Sequence, residues 1–295
     1  MRLNKEASSI LGRARIGMLV LRSGRMPLVN PAAFSYVAGA LWMTTSRFAA
    51  KTVLAKRDPR AVFFVDGGAR AVVLRGTIEV FDPISLTSQV RALLGGPGFY
   101  LGMAGYTLKN APFVAGYALD LVRIPREWLP YNRVVLCLRP SEAELLDVIE
   151  FPEAQSARVP GVPVAIGRRL AGVTRGYACW LEGARPVIEP ALWEAERGRI
   201  TVGAAGERHP RAGASGALVI ESHHSYRPSL MVGVCLRGRF LGTIGREAIA
   251  ERYGIELGAV PPARELQVER VTAWRGFNVI SSVPKGARHL RVAEG

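Results

Sequence analysis

Residues 24–34 read GRMPLVNPAAF and residues 183–193 read GARPVIEPALW. Both follow one pattern: glycine, two variable residues, proline, two aliphatics, a polar residue, Pro-Ala, an apolar residue and an aromatic. The offset is 183 − 24 = 159, with no gap inside the match. Upstream, RARIGMLVLRSG lies over VTRGYACWLEG; downstream, VVLRG (72–76) lies over VCLRG (234–238) at an offset of 162. Near the end of each half, LVRIPREW echoes VERVTAW. Four matches in one order identify a duplication, so whatever fold one half adopts the other must be able to adopt too.

Each half is dominated by short runs of Val, Leu and aromatics separated by Ser-Gly, Pro, Ala-Gly and Asp-Gly-Gly turn signals. GALWMTT alternates as a strand, and PRAVFFVDGGARAVVLRGTIEVFD reads as a hairpin. ASGALVIES and LMVGVCLRGRFLGTI play the same parts in the second half. Short antiparallel strands with few helices predict a mainly β fold, one closed or nearly closed barrel per half. We place the first domain at 1–139, a linker at 140–165 and the second domain at 166–295. The linker region is acidic and Pro-rich, and its first part, from 139, reads as helical. Residues 84–120, apolar and glycine-rich, read as a helical insertion, buried or facing a partner, that acts as a lid or an oligomer contact.

The formal net charge is +15, nearly all from arginine, because the only lysines are Lys5, Lys51, Lys56, Lys109 and Lys285. Such a balance favours anionic partners. The cations are spread along the chain without interleaved aromatics, which argues against nucleic acid and leaves phosphorylated small molecules. Cys137, Cys179 and Cys235 show no CxxC spacing, which disfavours a disulfide framework or a zinc site and fits a reducing, cytoplasmic location. The N-terminal stretch lacks the apolar core of a signal peptide, and Lys109, Asn110 and Pro112 break the longest apolar run, so no membrane span is expected.

One stretch carries a local electrostatic conflict. In LWMTTSRFAAKTVLAKRDPR (41–60) a strand ends in Thr44, Thr45 and Ser46, with Ser46 as the expected helix N-cap. Arg47 and Lys51 then fall four apart, on one face of the first helical turns. A helix N-terminus is already partially positive, so two cations there repel each other and the dipole. A bound phosphate removes the conflict: it takes backbone N–H donors, short hydroxyls and both cations.

The run GMLVLRSGRMPLVNPAAFSYVAGALWMTTSRFAAKTVLAKRDPRAVFFV resembles the pyridoxamine 5'-phosphate oxidase-like flavin-binding split β-barrels. Their opening strand, Gly-x-Pro turn, P-x-x-P-x-x-F element, Thr–Ser–Lys turn and DPR-led strand are present over about residues 8–82, and more loosely over 118–135. The resemblance implies tandem split barrels forming an internal pseudo-dimer, with FMN as the cofactor or, as in related members, the deazaflavin F420. By the same resemblance Thr45 and Lys51 hold the cofactor phosphate. Ala49 stands where the family often has serine, so Thr44, Ser46 or Arg47 is left to supply the missing donor. The activity implied is that of a flavin- or deazaflavin-dependent oxidoreductase, with a non-catalytic binding protein as the other reading.

The second half has no such turn: GAAGERHPRAGASGALVIE carries neither a Thr–Ser cluster nor a Lys-bearing helix, so one phosphate site is expected, not two. The degenerate half would wall the site, and SHHSYRPS (222–229) reads as a polar loop between two strands, with a reach into that site as the other reading. His209, His223, His224 and His289 form no metal pattern, and none is expected to hold one. Trp42 and Trp193 read as core residues, and Arg75 and Arg237, matched across the repeat, as common structural residues. No catalytic acid or base emerges. A homodimer in addition to the internal pair remains compatible with the sequence.

Overall fold

The computed structural model describes residues 3–94, 96–196, 199–223, 227–243 and 246–283. Helix α1 (Lys5–Arg13) is capped by Asn4, whose Oδ1 accepts from the Ala7 N–H at 2.7 Å. Six strands make the first barrel: β1 (Ile16–Ser23), β2 (Met26–Val37), β3 (Ala40–Ser46), β4 (Arg60–Asp66), β5 (Arg70–Phe81) and β6 (Arg133–Asp147). Helix α2 (Ala50–Arg57) joins β3 to β4. Helices α3 (Leu86–Leu94), α4 (Pro97–Lys109) and α5 (Ala111–Leu119) fill the connection from β5 to β6, where the insertion was expected. The strands close antiparallel in the order β1-β2-β3-β6-β5-β4.

After α6 (Val164–Leu170) the second half repeats the plan with β7 (Gly176–Glu182), β8 (Arg185–Glu196), β9 (Arg199–Ala204), β10 (Ser215–Ser222) and β11 (Val232–Thr243). Helix α7 (Glu247–Tyr253) precedes β12 (Ala263–Arg275), and β13 (Asn278–Ser282) adds to the outside of β12. The ring runs β7-β8-β9-β12-β11-β10 and closes through β10 on β7. Strand for strand this is the order of the first ring, so the duplication read from the sequence is a duplication of topology: two six-stranded antiparallel barrels.

The repeated motifs have identifiable jobs. Gly24 and Gly183 both take φ +63° at the first position of two-residue hairpin turns, a conformation that glycine enters without strain. The repeated Leu-Arg-Gly sits at a register shift in each barrel, between Arg75 and Gly76 on β5 and between Arg237 and Gly238 on β11. At these bulges the neighbouring strand comes so close that a Cβ on Gly76 would lie 2.0 Å from the Arg139 carbonyl oxygen, and one on Gly238 1.8 Å from that of Gln267.

The strands at the seam alternate between two cores. Leu19, Leu21, Phe63 and Leu74 point into the first barrel, while Met18, Val20, Phe64 and Val73 point out of it. That outer face packs against Cys179, Ile188, Val219 and Cys235 of the second barrel, making the internal pseudo-dimer. The strands read as continuous apolar runs because both of their faces are buried. All three cysteines are buried and unpaired. Trp42 and Trp193 are both buried, as expected.

One expected element changes type. The segment from 139, read as helical, is the second half of β6, which carries the first barrel to Asp147, past position 139. Glu142 and Glu144 alternate with Ala143 and Leu145, a period of two that acidic composition concealed. No described helix is long and apolar enough to cross a membrane.

The bulge glycines give a direct test. Gly76→Ala and Gly238→Ala force a methyl group onto a backbone carbonyl, and each is expected to cost about 1–3 kcal/mol. Gly242→Ala, on the same strand with nothing within 4 Å of its Cβ, should leave the urea midpoint nearly unchanged.

Candidate cofactor site

A cavity of about 830 Å³ opens at one end of the seam between the barrels, within the size range of small-molecule sites. The end of β3, the start of α2 and the first residue of β6 line it from the first barrel. Thr44, Thr45, Ser46 and Lys51, four of the five residues singled out in the sequence, face it.

Their roles differ from the sequence expectation in two respects. Ser46 is not the helix N-cap: α2 begins at Ala50, its N-cap is Ala49, and no side chain caps it. Ser46 Oγ instead accepts from the Phe48 N–H at 3.2 Å and donates to the Glu127 carbonyl. The turn after β3 is three residues longer than the sequence suggested, because Ser46 remains paired opposite Arg133 on β6. Arg47 therefore lies in the turn, not on the helix. It does not line the cavity; its guanidinium pairs with Asp82 at 2.6 Å, and Lys56 approaches the same carboxylate at 3.4 Å. The pairing of Arg47 and Lys51 on one helical face is thus corrected.

The second cation of the cradle is Arg133, which sequence reading missed. Strand pairing sets it beside the turn. Its Nη2 donates to Thr44 Oγ1 at 2.7 Å, Thr44 in turn donates to the Tyr106 hydroxyl at 3.2 Å, and its guanidinium lies 5.0 Å from the Tyr117 ring centre. No local signal in YNRVVLCL marks it, since its role depends on a strand that arrives more than eighty residues after the turn.

Among the described residues no carboxylate forms an ion pair with Lys51 or Arg133. Lys51 has only a 3.4 Å contact from Nζ to the Pro31 carbonyl. Burial first, then the charge of Arg133, brings its ammonium down to about pKa 8. The Thr45 hydroxyl is buried with no partner among the described residues. The N–H groups of Ala50 and Lys51, first in α2, have no intrahelical acceptor. Together these are the donors that a bound anion satisfies.

The second barrel closes the cavity with Arg237 on β11 and Arg270, Thr272 and Trp274 on β12. Arg237 is 7% exposed and donates to Thr272 Oγ1 at 3.3 Å, while its Nε has no partner among the described residues. Burial lowers its pKa, and Arg270 adds to that. Phe277, in the turn before β13, rests its ring against Tyr117 and Trp128 of the first barrel. Of 222–229, Pro228 lines this cavity, and Arg227 reaches Asp120 at 2.5 Å. His223 lies instead in a separate cavity of about 410 Å³ with Asp66, Tyr177 and Glu221. His224 and His289 lie outside the described residues. No three His, Cys, Asp or Glu side chains gather for a metal among the described residues.

The duplicated position at the other end of the seam shows why one site is expected. No helix follows β9; the chain runs through 205–214 as coil into β10. Asn30, which lines the cavity, is matched at offset 159 by Glu189. Opposite Arg237 on the neighbouring strand stands Arg270, but opposite Arg75 stands Glu142. Where Arg237 bonds Thr272, Arg75 bonds Glu144 at 2.7 Å, and Glu144 also takes Arg208 at 2.6 Å. The second cradle is filled by its own carboxylates. A Cβ on Gly206 would lie 1.9 Å from Glu189 Oε2, so glycine there makes room for the acid.

No protein-family model matches the chain, and no curated protein does. Solved structures do align with it. One is a FAD-binding protein from Mesorhizobium loti, 15% identical, covering 48% of this chain and 94% of that one at a TM-score of 0.35. An F420 reductase is 19% identical over 48% of this chain and 98% of that one, at 0.32. General Stress Protein 26 of Bacillus anthracis is 15% identical over 50% and 100%, at 0.33. Each spans about half of this chain, the length of a single barrel. At such scores the likeness adds nothing to the strand order, which is what defines the fold here.

The carboxylate plug yields a pH test. Burial raises Glu189 from its ordinary 4.5 to about 7, with Glu144 adding to the rise and Arg208 and Arg75 opposing it. The unfolded chain releases this proton near 4.5 and the folded one near 7, so Glu189 makes stability fall as pH rises across that window. Glu189→Gln removes the effect. Its stability relative to the parent chain should be higher at pH 8 than at pH 4, by roughly 1–3 kcal/mol, in urea unfolding at the two pH values.

Proposed function

We propose that the cavity between the barrels binds FMN, phosphate on the turn between β3 and α2, and that the protein is a flavin-dependent oxidoreductase. The observation that carries this reading is the cation cradle of Lys51 and Arg133, which no carboxylate among the described residues pairs with, joined by a Thr45 hydroxyl without a partner among those residues and by the first N–H groups of α2. The residues present fit a phosphate dianion. The long cavity beyond, walled by Phe113, Tyr117, Trp128 and Trp274, fits a flat aromatic ring.

In this reading Lys51 and Arg133 neutralise the phosphate, Thr44 and Thr45 orient it, and Tyr106 holds Thr44 in place. Arg237 and Thr272 present donors from the second barrel, and Phe277 and Trp128 keep water from the middle of the seam. The flavin, when bound, supplies the hydride or electron transfer itself. Among the described residues that line the cavity the one carboxylate is Glu127, so the lining offers donors rather than a carboxylate pair.

A second reading has a specific observation behind it. Arg237 and Arg270 bring the cavity to four cations, more than one phosphate requires. F420, whose tail carries further anionic groups, would use them.

Titration of the apo-protein with FMN and with F420, followed by fluorescence, tests both. FMN should bind, and Lys51→Ala or Arg133→Ala should weaken it tenfold or more, about 1.4 kcal/mol or more. Arg47→Ala should change affinity far less. Tighter binding of F420, with the larger loss in Arg270→Ala, moves the assignment to the deazaflavin. Binding of neither overturns the proposal.

Lys51 also sets a pH dependence. Its ammonium is depressed to about 8 in the free protein, and an anion favours the charged form. Binding then takes up a proton above pH 8, so Kd should rise by up to about tenfold per pH unit from there. Lys51→Met should flatten the profile.

A further inference from the structure

Helices α3, α4 and α5 carry a surface that the cofactor site does not use. Their inner sides are accounted for: Phe99, Met103, Tyr106 and Phe113 pack on Trp42 and Phe81, and Gly102 lets α4 lie directly on the Trp42 ring. Their outer sides are apolar as well. The exposed positions of α4 are Pro97, Tyr100, Leu101, Ala104, Thr107 and Leu108, spaced as one helical face. On α5 and the turn after it, exposed Ala111, Val114, Ala115, Ala118, Leu119 and Val122 form a similar helical stripe, with Leu121 exposed beside it. On α3 the exposed Leu86, Val90 and Leu93 form a third stripe. Leu108 is 78% exposed, Leu119 72% and Val122 94%. A helix lying on a barrel in water carries charge on that side.

The charge pattern says what covers this surface. From Pro83 to Leu119 there is no Asp or Glu, and the formal net charge of the chain is +15. Asp120, the first carboxylate beyond, is buried and paired with Arg227. Exposed Arg123 and Arg126 follow directly after the apolar stripes, and the first exposed carboxylate, Glu127, comes only after them. Apolar helical faces without acids, bordered by arginines able to keep their stems in apolar and their heads in polar surroundings, match the interface of an anionic bilayer. A second copy of the chain would bring the same positive charge against it.

We propose that α3–α5 form a docking surface for anionic lipid, on which the protein lies peripherally with Leu101, Leu108, Leu119 and Val122 at the level of the headgroups and upper acyl chains. This proposal is independent of the cofactor assignment.

Vesicle flotation of the full chain tests it. The protein should float with vesicles of phosphatidylglycerol and phosphatidylcholine and far less with phosphatidylcholine alone, and added salt should weaken the binding. Leu101→Glu combined with Leu119→Glu should lower the partition coefficient at least tenfold. Leu257→Glu, exposed on the second barrel, should float like the parent chain. The three substituted positions, Leu101, Leu119 and Leu257, are all exposed, and circular dichroism and thermal unfolding verify that the variants fold. Failure to float with anionic vesicles overturns the proposal, and so does flotation that the double variant leaves unchanged. A dimer by light scattering that Leu101→Glu dissociates, with no vesicle binding, gives this face to a second copy and also overturns it.

Discussion

The contact between the two barrels is the constraint on which everything else depends. Each seam strand serves two cores: Leu19 and Leu21 fill the first barrel while Met18 and Val20 meet the second. Burying a large apolar side chain is worth about 1.5–3 kcal/mol, so a layer of such residues on each barrel holds them as one body. The layer has no polar alternation to give up, and it fixes where the barrels' ends lie. The 830 Å³ cavity is at one of those ends, with walls from both halves. Neither half carries the site alone.

Duplication produced two cradles related by the same strand order, and electrostatics separates them. At one, Lys51, Arg133, Arg237 and Arg270 line a cavity with Asn30 between them. At the other, Glu189 replaces Asn30, and Glu142 and Glu144 stand where Arg270 and Thr272 stand in the first. Buried cations without counter-ions are costly, and a fold tolerates that cost where a ligand later removes it. Glu144, held between Arg75 and Arg208, carries its own compensation, while Glu189 beside it is kept protonated by burial up to about pH 7. The contrast favours the basic end as the ligand end in the proposed reading, and at the acidic end Arg75, Glu144 and Arg208 tie the barrels together.

The insertion between β5 and β6 links the site to the outer surface. The side that faces the barrel places Tyr106, Phe113 and Tyr117 in the cavity lining, and the side that faces outward is apolar over three consecutive helices. Gly102 and Gly105 let α4 approach Trp42 and Val37 closely, which explains the glycine content of a segment that is otherwise strongly helical.

Much of this was legible in the chain itself. The GxxP repeat, the Leu-Arg-Gly motif and the alternating apolar runs determined two barrels of one topology, because turn conformation, bulges and strand periodicity are local consequences of residue type. The Thr-Thr-Ser turn and Lys51 were likewise visible, as was the loss of that turn in the second half. Tertiary structure alone decided the rest. Whether Arg47 or Arg133 completes the cradle depends on which strand lies beside β3, and Asp82, brought in at the end of β5, captures Arg47. Arg237 and Arg270 enter the site only because the barrels pack back to back. The helix expected after 139 became strand because pairing with β5 across the bulge at Gly76 outweighs local composition. Local sequence sets what each segment can be; the positions of charges brought together from distant segments are set by strand register and by the seam.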